Sequence, residues 1–599
     1  MLCCIPPVTP ESCPVCLDVV FPRVPAWTRS RLNPYAVAWL ARELDFFDGP
    51  CLVSMAFNGV RFRASGLPSP GRPAYANRFV DDVAGNSAEV FFRETLLPKM
   101  LRLGHCRLAT PLEESLAVVH AISLIPKSVP GTFRMIHDLT CGLLDVADVE
   151  HTSFNESTPH QFLPRTALTT IEQIVEVLCE LAALGFKATI HLASVDLEQA
   201  YYQIHLADGE SITLGFSFDG SIYLFMGLPF GSKASPSIFC RFVNLIWSYL
   251  RGQRVMIFWY IDDGCIIAIT LEECLRAVAL TLRTLEFVGF AYSAAKSVLV
   301  PTRRLDYIGV EIDVDEWVLR LLPRHVSKLQ AHVDLLLSVK VWRASDLFKA
   351  LDKFTGLLNF SETVIPLLAP LKAFFIGVKL CSERRGRAPY SLSKEAVFHL
   401  ETVRALSVSR NARPIRSRAE RLLSWSGCAL YSDACNDSPD TAGFGAWFRD
   451  SNGAVFYLYG LFKDAPVDLR HLHINDLELL AHVMALTLLL PEAGCVFESI
   501  LSHIDNKCAL SWLNNFTCSM NADVRSTRWR RLRFLRQLAL ALDSLDLDVS
   551  VDYVPSADNV HADDLSRGRV AAFCAVFPHA VQVSLPMEWW RRWTRAFLP

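Results

Sequence analysis

Two groups of carboxylates stand out in this sequence, most of them at the end of an apolar, strand-like run or at a hairpin tip, with Glu478 in the first turn of a helix. The first has three members: Asp262 and Asp263 in Tyr260-Ile261-Asp262-Asp263-Gly264, flanked by apolar runs, and Asp196 in Ser194-Val195-Asp196-Leu197-Glu198, ending another. The second has four: Asp433 in Leu430-Tyr431-Ser432-Asp433-Ala434, Glu478 in Asn475-Asp476-Leu477-Glu478, Asp505 in Ser502-His503-Ile504-Asp505-Asn506, and Asp563 in Val560-His561-Ala562-Asp563-Asp564-Leu565-Ser566-Arg567. Chemistry at a phosphate ester asks for little covalent help from a protein. It asks instead for two divalent cations held a few ångströms apart against the reacting oxygens, so carboxylates must converge from separate elements. Each acid also has a plainer reading. Asp-Asp-Gly is a good turn, a strand-ending Asp caps a helix, and an acid at a helix start suits the helix dipole.

The elements that must position them follow from periodicity. Thr189–Val195, Ser221–Phe225 and Val255–Trp259 read as strands, alternating with helical stretches Pro236–Leu250 and Leu271–Val288, an α/β or α+β pattern. Residues 313–403 are helical in pattern, poor in acidic clusters, and read as a connector. Ser426–Asp433, Thr441–Arg449 and Ala454–Phe462 then read as successive strands, the last two joined by Asn452-Gly453, a pair suited to a tight hairpin. Here Asp433 ends a strand, Glu478 lies in the first turn of a helix, and Asp505 ends a later strand. Pro- and Gly-rich residues 64–71 and the Arg-rich residues 404–421 are candidate boundaries.

Composition bounds the rest. A chain of 599 residues needs several cores, and 51% hydrophobic with 20% charged residues describes a folded protein. A net charge of −3 excludes a surface that attracts nucleic acid everywhere. Arg404, Arg410, Arg413, Arg416, Arg418 and Arg421, and Arg525, Arg528, Arg530, Arg531, Arg533 and Arg536, are local basic runs, open between phosphate contact and a solvated face. Leu479 to Leu490 is broken by His482 and Thr487 and ends at Pro491, which reads as a buried helix rather than a membrane span. No basic segment leads into an apolar one at the amino terminus, so the expected place is intracellular, cytoplasmic or nuclear, and not secreted. The 18 cysteines read as reduced thiols. Cys13 and Cys16, with Cys3 and Cys4 upstream, lack the second pair a zinc site wants and read as part of a mobile terminus. Trp589-Trp590-Arg591-Arg592-Trp593 reads as packing, with stacking on bases the alternative.

Taken in order, Ile125-Pro126-Lys127, Gly131–Leu139, Val195–Leu206, Gly227–Pro236, Tyr260–Asp263, Lys296 and Leu305–Gly309 resemble the palm of a reverse transcriptase. The resemblance implies that Asp196, Asp262 and Asp263 are metal ligands, with the backbone carbonyl of Leu197 as an extra one. It implies that Lys127 and Arg134 grip an incoming triphosphate. Tyr201 would stand where a ribose 2′-hydroxyl would sit and so select deoxynucleotides. Phe230 falls where retroviral enzymes have Gln and LTR-type retroelements often have Phe. Lys296 would lie beside the nucleotide, its plainer reading being an exposed loop lysine, and Leu305–Val310 looks like a primer-gripping turn. The quartet Asp433, Glu478, Asp505 and Asp563 is similar to that of the ribonuclease H attached to retroelement polymerases, especially in its Ala-Asp-x-Leu-Ser-Arg ending. Asp564 and Asp558 are rivals for the fourth place, and His561 is poorly placed for the histidine that some relatives use.

Leu32-Asn33-Pro34 through Asp45, Val60–Arg63 and Val129–Thr140 resemble the polymerases of DIRS-type retrotransposons, which integrate with a tyrosine recombinase; Cys141–Val146 departs from their usual Ser-Val-Asn-Asp ending. The resemblance implies an α+β and α/β multidomain chain with an N-terminal region at 1–80 and reverse transcriptase fingers and palm at 81–312. A thumb and connection would follow at 313–424, a ribonuclease H-like α/β domain at 425–567, and a C-terminal tail at 568–599. It further implies Mg²⁺, two per site, with Mn²⁺ as a substitute. The implied partners are RNA template, DNA primer, RNA–DNA hybrid and deoxynucleoside triphosphates, with no membrane, and a separately encoded tyrosine recombinase and capsid-like protein. A retroelement-derived nucleic-acid-binding protein without catalysis and a pararetroviral-type polymerase are the alternatives.

Overall fold

The computed structural model describes residues 21–594 apart from 27–30, 128, 160–167, 417–428, 439, 451, 468, 470–471, 493–498, 516–524 and 546–547. Two compact units divide the chain. The first takes residues up to 174, 184–308 and 313–315; the second takes 175–183, 309–312 and everything from 316 onward.

The first unit opens with helices α1 (Pro34–Glu43) and α2 (Gly49–Asn58). The Asn33 side chain caps α1 by accepting from the Tyr35 N–H at 3.0 Å. Strands β1 (Ala121–Pro126) and β2 (Phe133–Asp138) then form an antiparallel hairpin that sets Arg134 opposite Ile125. A four-stranded antiparallel sheet follows, built from β3 (His191–Asp196), β4 (Met256–Tyr260), β5 (Asp263–Ala268) and β6 (Val298–Thr302) in the order β4-β5-β3-β6. Helix α3 (Ser235–Gly252) packs on β4, and helix α4 (Leu271–Val288) packs on β3, β5 and β6.

Helix α4 shows why the sequence folds this way. Thr270 caps it, Gly289 leaves it at φ +92°, and Cys274, Val278, Leu282 and Leu285, spaced along one face, are fully buried. Each such aliphatic side chain contributes about 1.5–3 kcal/mol by leaving water. A charge at Val278 would break the contact.

The second unit begins with helices α5 (Pro323–Ser338), α6 (Ala344–Ser361), α7 (Leu368–Arg385) and α8 (Lys394–Ser409), in the segment expected to be helical. A six-stranded sheet follows: β7 (Ala429–Cys435), β8 (Gly443–Arg449), β9 (Val455–Leu461), β10 (Ser499–Ile504), β11 (Asp548–Tyr553) and β12 (Val581–Gln582). Its order is β11-β10-β7-β8-β9-β12, antiparallel across β7, β8 and β9 and parallel elsewhere. The turn between β8 and β9 has Gly453 at φ +86°, and the Asp450 carboxylate accepts from the N–H groups of Asn452 and Ala454. The unit also contains helices α9 (Ile474–Met484), α10 (Arg525–Ser544), α11 (Val560–Ser566) and α12 (Met587–Thr594), with shorter ones at Lys507–Asn515 and Val570–Val576. The apolar stretch Ile474–Glu492 has the length and composition of a membrane span, with mean hydropathy 1.4, and it is 72% buried within the protein.

Three details correct the sequence reading. Residues 568–594 are not a separate tail, because β12 pairs with β9 and Trp589, Trp590 and Trp593 are buried in the same core as Leu480 and Phe534. The tryptophans therefore pack. Asp433 lies two residues before the end of its strand, and Glu478 lies in the second turn of α9, leaving Asp476 in the first.

Candidate active sites

In the first unit, strand register assembles the acids. Asp263 pairs directly with Asp196 across β5 and β3, and Asp262 lies in the turn just before. That turn carries Ile261 at φ +52°, a costly conformation for a β-branched residue, which the surroundings must impose. They do so through three successive carbonyls. The Trp259 indole N–H donates to Ile261, the Leu197 N–H donates to Asp262 at 2.9 Å, and the Tyr307 hydroxyl lies 3.1 Å from the carbonyl of Asp263. Trp259 reaches this place because Gly264 lies beneath its ring: a Cβ there would fall 2.1 Å from the ring. The indole also stacks on Trp247.

The crowding has an electrostatic signature. Burial first, then the charges of Asp262 and Asp196, push the Asp263 carboxyl from 3.8 up to about 7, and burial raises Asp262 as well. Lys296 Nζ stands 3.2 Å from Asp196 Oδ1. Lys127 is lowered, first by desolvation and then by Arg134, Lys296 and Lys99, and of these Lys296 and Arg134 also act on Asp262. Lys99, which also reaches Glu198 at 3.6 Å, carries no motif in the sequence that would have singled it out. Tyr201 is buried against Phe230 and Phe239, at ring separations of 4.7 and 5.3 Å. The Leu197 backbone is brought to the cluster through its N–H.

In the second unit, Leu430, Tyr431 and Ser432 pair in parallel with Ser502, His503 and Ile504, so the next residues, Asp433 and Asp505, are neighbours. Glu478 comes in from α9, accepting from the Ala434 N–H at 3.1 Å. The three offer carboxylate oxygens that all lie within 4.8 Å of one another. Burial raises Asp433 from 3.8 to about 6 and Glu478 well above its ordinary value, and mutual charge adds to both.

Helix α11 reaches this cluster only because β8 carries two glycines on its path. A Cβ on Gly443 would meet the Ser566 carbonyl at 2.2 Å, and one on Gly445 would meet the Ser566 nitrogen and Leu565 Cβ at 2.4 Å. Ser566 Oγ thus donates to Asp433 Oδ2 at 2.5 Å. Asp563, on the same helix, acts on Asp433 by its charge but is held by Arg567 and Arg569 rather than joined to the other three acids. Of its rivals, Asp564 pairs with Arg569 and Asp558 is exposed. His561 packs among Trp447, Phe573 and Phe577.

Beneath the second cluster, His482 bridges two buried hydroxyls, with Nδ1 2.8 Å from Ser432 Oγ and Nε2 3.0 Å from Ser502 Oγ. Burial lowers this imidazole to about 3, so it is neutral, with one nitrogen donating and one accepting. His482→Leu leaves both hydroxyls without this partner and is expected to cost about 1–3 kcal/mol, read as a lower denaturant midpoint for the second unit.

Several described members of the basic runs pair with acids or carbonyls of the protein, while Arg533 is exposed. Arg531 pairs with Asp476 and lies over Trp512, Arg536 pairs with Glu395 and lies over Phe374, and Arg404 pairs with Asp334 and Glu401. Arg413 donates to the Thr363 carbonyl. Arg418, Arg421, the side chains of Arg525, Arg528 and Arg530, and Cys3, Cys4, Cys13 and Cys16 lie outside the described residues.

The second cluster fits a divalent cation, because its three carboxylates already converge. The first gathers three acids whose mutual repulsion a bound cation would relieve, with Lys296 standing on Asp196 in its place.

Residues 125–312 match the reverse transcriptase (RNA-dependent DNA polymerase) family. The enzymatic polyprotein of Cauliflower mosaic virus (strain D/H) is 26% identical over 213 residues, 35% of this chain and 28% of that protein. The retrovirus-related Pol polyprotein from transposon opus of Drosophila melanogaster is 22% identical over 244 residues, 39% of this chain and 22% of that protein. The chain thus spans less than a third of the length of either relative. A solved structure of the foamy viral protease-reverse transcriptase dRH in complex with double-stranded DNA is 16% identical, covering 89% of this chain and 84% of that one with a TM-score of 0.44. The chain carries a reverse transcriptase domain.

Proposed function

We propose that the chain is an RNA-directed DNA polymerase with an attached ribonuclease H. The observation that carries the reading is the direct pairing of Asp263 with Asp196, beside Asp262, inside the segment that matches the reverse transcriptase family. Asp196, Asp262 and Asp263 would hold two divalent cations, Mg²⁺ with Mn²⁺ as a substitute, and Asp433, Glu478, Asp505 and Asp563 two more. Bound there, the cations supply the charge that activates a primer 3′-hydroxyl and steadies pyrophosphate in the first site, and that activates water at an RNA phosphate in the second.

The chain's own residues do the rest. Lys127, Arg134 and Lys296 bind and orient the triphosphate, Tyr201 backed by Phe230 excludes a ribose 2′-hydroxyl, and Leu197 fixes the turn that carries Asp262. Glu478, Asp433 and Asp505 meet the hybrid's scissile strand. The substrates are RNA template, DNA primer, deoxynucleoside triphosphates and RNA–DNA hybrid, inside the cell. The amino-terminal motifs favour an element of the DIRS type, with a tyrosine recombinase encoded separately.

The test is extension of oligo(dT) on poly(rA) together with cleavage of the RNA in a labelled hybrid. Both activities are expected with Mg²⁺, and both are expected to stop on chelation. A chain that binds these duplexes yet neither extends nor cuts them is a nucleic-acid-binding scaffold, and the proposal is then wrong.

A further inference from the structure

Asp563 differs from the other members of the second quartet in that both of its oxygens are paired with guanidinium groups. Its Oδ1 accepts from Arg567 Nε at 2.7 Å and its Oδ2 from Arg569 at 2.5 Å. Neither guanidinium stops there. Arg567 also pairs with Asp437, just past the strand that carries Asp433, and Arg569 Nε lies 2.7 Å from Asp564 Oδ1. The result is an alternating chain, Asp437, Arg567, Asp563, Arg569, Asp564, along the rim of the acidic cluster. Its members are partly open to solvent, with Arg567 37% and Arg569 52% exposed, so these pairs are weakly held and able to exchange.

A divalent cation approaching Asp563 meets two positive charges within hydrogen-bonding distance of its intended ligand, whereas among the described residues Asp433, Glu478 and Asp505 carry no such guanidinium pair. Guanidinium groups bind phosphate at least as well as carboxylate, through paired N–H bonds. We infer that Arg567 and Arg569 are positioning residues that keep Asp563 from a second cation until the phosphates of a bound nucleic acid draw their guanidiniums away. The inference rests on the ribonuclease H reading above and adds an order of events to it: substrate first, second cation after.

The experiment counts Mn²⁺ by its EPR signal on the full chain carrying Asp262→Asn and Asp263→Asn, which removes the first site's contribution, with and without a 2′-O-methyl RNA–DNA hybrid that resists cleavage. One tightly bound ion is expected without hybrid and two with it. Adding Arg567→Gln and Arg569→Gln is expected to give two ions without hybrid and to weaken hybrid binding several-fold. Arg567→Lys with Arg569→Lys, which keeps both charges, is expected to stay at one ion, separating the effect from misfolding. Two ions on the arginine form without hybrid, or one ion on the Gln form, overturns the clamp alone. No ion bound under any condition overturns the ribonuclease H reading and the clamp with it.

Discussion

Asp263→Asn is expected to lower primer extension on poly(rA)–oligo(dT) by roughly 10³-fold or more, the several kcal/mol that a well-placed cation supplies, while leaving primer–template binding largely intact. The variant isolates charge from shape. Asn fills the same space opposite Asp196, the Tyr307 hydroxyl still meets the residue 263 carbonyl, and Ile261 and Asp262 keep their donors from Trp259 and Leu197. Only the second oxygen's charge is lost. Extension at the native rate by this variant would remove Asp263 from the chemistry and, with it, the reason for gathering these three acids.

The same variant has a second readout, because the Asp263 carboxyl titrates at about 7 in the folded protein against 3.8 ordinarily. The folded chain therefore holds a proton here that the unfolded chain gives up. This stabilising contribution is complete below 3.8 and is lost as pH rises through about 7. Without divalent cations, the melting temperature of the native chain is expected to fall between pH 5 and pH 8, and Mg²⁺ is expected to raise it more at pH 8 than at pH 5. Asp263→Asn makes both slopes shallower without abolishing them, because Asp433 and Glu478 are shifted in the same direction. Equal slopes in variant and native chains would show that this carboxyl titrates normally.

What the sequence made legible was whatever short-range chemistry decides. The hairpin around Asp262, the helix over Leu271–Val288 and the turn at Asn452-Gly453 appear where apolar periodicity and turn residues put them. The acids were legible as candidates because each ends or flanks such an element. What brings them together was not, since strand register is a long-range property: nothing local to Asp433 says that it pairs one step beyond the Ser432–Ile504 match and so adjoins Asp505. The glycines at 443 and 445 read as ordinary strand residues until α11 is seen to need the space. The arginines stayed open for a related reason. A basic run looks the same whether it faces phosphate or, as with Arg531 and Arg536, faces Asp476 and Glu395 from far along the chain. Trp589 to Trp593 looked terminal because β12 is two residues long, below what alternation can reveal.

Glu478→Gln is expected to separate the two activities, lowering hybrid cleavage by roughly 10³-fold or more with primer extension unchanged. Among the second group's members it is the informative choice, because the residue is only 5% exposed and, among the described residues, its side chain accepts one hydrogen bond, from the Ala434 N–H, which a Gln carbonyl accepts equally well. Its burial and its proximity to Asp433 and Asp505 work against the charged form, so removing the charge relieves strain in the cation-free protein. The denaturant midpoint of the variant is therefore expected to match or exceed the native one at neutral pH. A catalytic loss accompanied by equal or greater stability marks a residue kept for its charge. A loss accompanied by a lower midpoint would mean that Glu478 serves the packing of α9 against β7, and cleavage would then have to be assigned elsewhere.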